Sequence, residues 1–116
     1  MKKTVLIDFD GVIHQYISKW TTAEEIHDAP VSGSFEAIEK YLSRFEVVIF
    51  STRCKTQAGI KAMKDWFNKF GFDKTNELIF SYEKLPAVLL IDDRAIQFRG
   101  KFLSVDQIDN FIPWNK

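Results

Sequence analysis

Val5-Leu6-Ile7-Asp8-Phe9-Asp10-Gly11 is the stretch on which the fold of this chain turns. A run of branched and large apolar residues reads as a buried strand, and it delivers two carboxylates, one residue apart, into a glycine turn. Residues i and i+2 of a strand share a face, which predicts that Asp8 and Asp10 converge while Phe9 packs away from them. Two like charges so placed are costly unless a cation or a proton relieves them. Val88-Leu89-Leu90-Ile91 is a second such run, and it ends in Asp92-Asp93. Four acids at the ends of two buried strands point to a divalent metal and to acid chemistry.

The pattern outward from these strands alternates. Residues 3–9 form a continuous apolar run, as in parallel sheets covered on both faces. Residues 11–31 are irregular, polar and aromatic. A helix is expected next, capped by Ser32 or Ser34, with Phe35, Ile38, Leu42 and Phe45 at helical spacing. Residues 46–50 read as another strand, stopped by Ser51-Thr52-Arg53. Thr56 is placed to cap a second helix with an apolar stripe of Ile60, Met63, Phe67 and Phe70. Gly71 stands where a left-handed C-terminal residue is wanted. Short strands are expected within 77–82 and 88–91, a last edge strand at 101–105, and one closing helical turn within 105–111. Strand alternating with helix argues for an α/β domain with a parallel sheet. Ligands of such sheets bind at the carboxyl ends of the strands, where Asp8, Ser51, Lys84 and Asp92 fall or nearly fall.

With 116 residues and 46% hydrophobic content, the chain is expected to be one domain, residues 1–116, with a real core. No repeat, low-complexity segment or long linker divides it. Sixteen basic and sixteen acidic residues balance, so no global field draws the protein to nucleic acid or membrane. A single Cys excludes an intramolecular disulfide and fits a reducing compartment. The apolar run before Asp8 is too short for a signal-peptide core or a membrane span, so a cytoplasmic location is expected.

Four elements carry a family resemblance. Asp8-Phe9-Asp10-Gly11-Val12 resembles the first motif of the haloacid dehalogenase superfamily of aspartyl-nucleophile phosphohydrolases. Val47-Val48-Ile49-Phe50-Ser51 resembles its second motif, an apolar strand ending in Ser or Thr. Lys84 before an apolar strand is similar to the third, and Asp92-Asp93 to the fourth. They stand in the family's order and span nearly the whole chain. The resemblance implies a single Rossmann-like domain, mostly parallel sheet with helices on both faces, and a small flap over about residues 11–31. It also implies Mg²⁺-dependent phosphoryl transfer. The gaps between motifs hold a flap, helices and a strand but no cap domain. Such an open site suits a phosphorylated small molecule or a phosphorylated macromolecule, unless a second copy in a homo-oligomer covers it.

The resemblance assigns roles residue by residue. Asp8 is the nucleophile, forming an aspartyl-phosphate. Asp10 protonates the leaving oxygen and later takes a proton from water. Mg²⁺ is held by Asp8, the Asp10 carbonyl and Asp92, with Asp93 supporting the metal or orienting Lys84. Ser51 and Lys84 serve the equatorial phosphoryl oxygens. Thr52 and Arg53 join them as candidate substrate-binding residues. Ser51 is preferred over Thr52 because it directly follows the apolar run. Lys84 is preferred over Lys74 because a short Pro86-containing link joins it to the Asp92 strand. Arg53 and Arg94 each follow a motif closely but read at least equally well as a salt bridge or a solvated charge.

Elsewhere the bland readings lead. His14 is expected at the surface of the flap and Cys54 to be structural. Trp20, Trp66 and Trp114 lie too far apart in sequence for a stacking set, and Trp66 suits the core. A signalling receiver domain also gathers acids, a hydroxyl and a lysine around Mg²⁺. It needs a lone acceptor Asp mid-chain with its Lys afterwards, whereas here Ser51 ends the middle strand and Lys84 precedes the second acid pair. A phospho-ligand binder without turnover is the other alternative, and the presence of every expected residue argues against it.

Overall fold

Three apolar runs become neighbouring parallel strands. The computed structural model describes residues 2–115. β1 (Thr4–Asp8) is flanked by β2 (Glu46–Phe50) and β4 (Leu89–Ile91), with β3 (Ile79–Ser81) outside β2. All pairs are parallel, in the order β3-β2-β1-β4. Two longer helices, α1 (Ser34–Leu42) and α2 (Gln57–Lys69), join these strands, and a short α3 (Val105–Asp109) lies near the end. No helix of the described residues is long and apolar enough to cross a membrane.

Strand alternation divides the sheet into two faces. Val5, Ile7, Val47 and Ile49 share one buried cluster with Ile38 and Leu42 of α1 and with Met63, Trp66 and Phe67 of α2. Leu6 and Val48 are also buried but lie outside that cluster, on the opposite face. The two helices therefore pack on the same face, which corrects the expectation of helices on both. The reason is topological. β1-α1-β2 and β2-α2-β3 advance in the same direction, and right-handed crossovers then place both helices on one side. The return from β3 to β4 spans residues 82–88 without a helix, and α3 buries no residue.

Local signals fare unevenly. Thr56 caps α2 by accepting the Gly59 N–H at 3.0 Å, and Gly71 follows α2 with φ of 89°. The cap of α1 is a correction. Gly33, at φ 83°, occupies the N-cap, and neither Ser32 nor Ser34 caps the helix by its side chain. The chain enters α1 through a left-handed turn that a serine side chain would strain. Residues 101–105 are not an edge strand either. Ser104 caps α3 instead, with the reciprocal Ser104–Gln107 bonds of a capping box.

Candidate active site

Register sets the site. Ile7 pairs with Ile91, so the next residues, Asp8 and Asp92, emerge side by side from adjacent strands. Asp8 pairs with Phe50, which places Ser51 at the same carboxyl edge, and Ser51 N–H donates to the Ser81 carbonyl at 3.0 Å. Asp8, Asp92 and Asp93 each offer an oxygen within 4.8 Å of the others. Gly11 turns the chain at φ 90°, and a Cβ there would collide with the Asp93 carboxylate. Burial, the Asp92 charge and a hydrogen bond with Asp93 push the Asp8 carboxyl up to about 8. Three hard oxygen donors this close together form a set that fits a hard divalent cation.

Asp10 does not join them, contrary to the convergence expected from strand spacing. β1 ends at Asp8 and the Gly11 turn re-aims the next side chain. Asp10 instead meets Arg53, whose Nε donates to Oδ1 and Oδ2 at 3.2 and 3.0 Å and whose Nη2 donates to Oδ1 at 3.1 Å. His14 Nδ1 lies 2.9 Å from the same Oδ1. The Asp28 N–H donates to His14 Nε2 at 3.0 Å, which puts the proton of the neutral ring on Nδ1, facing Asp10. The two first-motif acids therefore enter two environments, one anionic and one built of donors.

Of its two readings, substrate contact or salt bridge, Arg53 takes up the salt bridge. It is fully buried, with Nη1 donating to the carbonyls of Thr22, Ala23 and Glu25 at 2.9–3.0 Å. Trp20 lies over the guanidinium at 4.6 Å. These bonds tie the flap to Asp10 through Arg53. His14, expected at the surface, is 1% exposed and packs against Phe9 and Trp66. Trp66 is in the core, as expected, and donates to the Asp28 carbonyl at 2.9 Å.

The remaining candidates sort by position. Ser51 Oγ accepts the Arg53 N–H at 3.1 Å and keeps its own proton to donate. Thr52 is exposed at the start of a 3-10 turn, Thr52–Lys55. Lys84 lies beyond the carboxyl end of β3, exposed, with no ion pair among the described residues. Lys74 precedes β3 and so lies towards the amino edge, where it lines a hollow with Phe35 and Phe72 that shares no residue with the acids. Asp93 bonds to Asp8 rather than orienting Lys84, and Arg94 Nε lies 3.9 Å from it. Cys54 is buried and its thiol is pushed up to about 11 by burial, so it is no nucleophile. Trp114 had no role in the sequence reading. Its indole N–H donates to the Gly11 carbonyl at 2.8 Å, a contact across 103 positions that no local signal announces.

Comparison of this chain with family models, with curated proteins and with solved structures finds no significant match. The carboxyl edge of the sheet carries an acid cluster and the Ser51 hydroxyl, with a separate carboxylate, Asp10, fixed by an arginine and a histidine.

Proposed function

We propose that this chain is a Mg²⁺-dependent phosphomonoesterase of the haloacid dehalogenase type, Rossmann-like, cytoplasmic, and working through an aspartyl-phosphate on Asp8. The observation that carries the reading is the sorting of the two neighbouring acids. Asp8 stands among Asp92 and Asp93, while Asp10 is held by Arg53 and His14. A nucleophile and a proton carrier need such different surroundings.

The Asp8, Asp92 and Asp93 carboxylates and the Asp10 carbonyl would hold Mg²⁺, which supplies charge neutralisation where nucleophile and phosphate meet. Asp8 attacks phosphorus, and the ester oxygen leaves with a proton from Asp10. Oδ2 of Asp10 accepts only from Arg53 Nε, so it keeps a lone pair for that proton. Water then attacks the acyl-phosphate, gives a proton to Asp10, and phosphate departs from a restored Asp8. Ser51 donates its hydroxyl to a phosphoryl oxygen, and Lys84, at the same edge of the sheet, supplies the cation. The connections carry no inserted domain, so the site admits a phosphate on either a small molecule or a macromolecule.

The test is hydrolysis of a panel of phosphorylated metabolites, nucleotides and phospho-ended oligonucleotides, with Mg²⁺ and after chelation. Asp8→Asn is expected to be inactive. Asp10→Asn should lose roughly 10²–10⁴-fold in kcat/KM, less for a nitrophenyl ester whose leaving group needs little protonation. Full activity in Asp8→Asn, or without metal, would overturn the reading. A binder without turnover is favoured by one observation: neither cation expected at the phosphate, Arg53 or Lys84, pairs with the Asp8 cluster. Metal-dependent phosphate binding by calorimetry, with no hydrolysis across the panel, would select it.

A further inference from the structure

The last part of the chain carries apolar surface that its own fold leaves open. Phe102 is 91% exposed, Val105 83% and Ile112 71%. β4 is an edge strand whose outer side pairs with no strand among the described residues, and Leu89 on it is half exposed. Beside that edge, where the end of α1 stops short, Val5, Tyr41, Phe45, Val88, Leu89 and Ile91 line a hollow of about 180 Å³. No charged side chain is among them. An open strand edge beside an apolar hollow is a template for association.

Area says how much is missing. The protein exposes 7903 Å², whereas a compact monomer of its 13.5 kDa should expose about 6,500 Å². The excess, about 1,400 Å², is well above the ~800 Å² each partner gives to a standard interface and falls in the range of obligate homodimers. The radius of gyration, 14.8 Å, likewise exceeds the roughly 13 Å of a compact domain this long. The chain's own apolar run at 101–103 cannot supply a parallel strand along that edge. Residues 92–100 would be the whole connection to a parallel strand at 101–103, and parallel neighbours need a crossover of about a dozen residues or more.

We propose that the chain is a twofold homodimer in which Phe102 of each copy fills the hollow beside β4 of the other. Hook and hollow lie on the same chain, so two copies related by a twofold axis can make the contact twice, reciprocally, and close at two. Formal charge is balanced, so no net repulsion opposes the pairing. The proposal is independent of any catalytic activity.

Sedimentation velocity over a micromolar concentration series tests it, on wild type, Phe102→Asp and Leu89→Lys. Wild type should sediment at twice the chain mass, and each variant as a monomer with an unchanged far-UV spectrum. Within the chain Phe102 meets one aromatic ring, that of the exposed Phe98 at 5.0 Å, and is otherwise open to solvent, so Phe102→Asp separates dimer loss from misfolding. Mixing the two variants should restore the dimer. One contact is then intact, and in the other the introduced carboxylate meets the introduced ammonium. A wild type that stays monomeric, a Phe102→Asp protein that dimerises as wild type does, or a mixture that fails to pair would each overturn the proposal.

Discussion

Residues 2–78 and residues 79–115 are packed differently, and the candidate site is assembled from both. Every buried apolar side chain of the core lies in the first region, whereas the second holds thirteen of the sixteen exposed large apolar residues. From the first come Asp8, Asp10 and Ser51; from the second come Lys84, Asp92 and Asp93. The difference tracks what each group must do. Asp10 takes its orientation from Arg53 and His14, both locked in the interior. Asp92 is held by one local bond, accepting the Arg94 N–H at 2.7 Å, and Asp93 lies 3.9 Å from the Arg94 Nε. Asp10 is fixed by the core, and Asp92 and Asp93 by contacts with their immediate neighbours.

The largest expected effect comes from the seam between the two regions. An acid whose folded pKa, about 8, lies above its unfolded 3.8 contributes stability that is fully present below the lower value. That contribution is lost as pH rises through the higher one, on the order of several kcal/mol. The metal-free protein should therefore melt progressively lower between about pH 4 and pH 8 relative to Asp8→Asn, whose amide carries no charge. Mg²⁺ should raise the wild-type Tm most at the alkaline end, where Asp8 is ionised, and leave Asp8→Asn little changed. Parallel melting curves for the two proteins would mean that the three acids do not share one field.

Next in size is the interior of the first region. Arg53→Met orphans Asp10 and the carbonyls of Thr22, Ala23 and Glu25, and should cost about 3–5 kcal/mol in urea unfolding. Arg53→Lys should recover only part, since one ammonium cannot reproduce the forked geometry. Tyr82→Ser, at a half-exposed position of the second region, should stay within about 0.5 kcal/mol. Equal costs for Arg53→Met and Tyr82→Ser would break the comparison.

What could be read in the sequence follows the same division. β1, β2 and β4 are legible because parallel strands are continuous apolar runs, although β4 lies at the edge and is not buried as expected, and the approach of Asp8 to Asp92 follows once those strands pair. The parting of Asp8 from Asp10 is not legible. Strand alternation was extended past Asp8, where the Gly11 turn had already ended it. The Arg53–His14 hub depends on a flap folded over a side chain about thirty residues away, and no periodicity encodes that. Residues 101–105 misled because an apolar run reads as a strand whether or not a neighbour exists to pair with it. There a local signal was available: Ser104 and Gln107, three apart, are the two ends of the capping box that starts α3.

The smallest effect sharpens the boundary between the regions. The tail reaches back to the flap through two bonds, Trp114 Nε1–H to the Gly11 carbonyl at 2.8 Å and Asn115 Nδ2–H to the Gln15 carbonyl at 3.2 Å. Trp114 is otherwise well exposed, so water can replace its hydrogen bond when it is lost. Trp114→Phe keeps the ring and removes the donor, and should cost about 0.5–1.5 kcal/mol in urea unfolding. Gly11 adjoins both the Asp10 carbonyl and the Asp93 carboxylate. If that loop holds a cation, loosening it should raise the Mg²⁺ concentration for half-maximal activity about twofold, with kcat kept at saturating metal. A stability loss above about 3 kcal/mol, the size of a core deletion, would instead place the tail with the packed region and move the boundary.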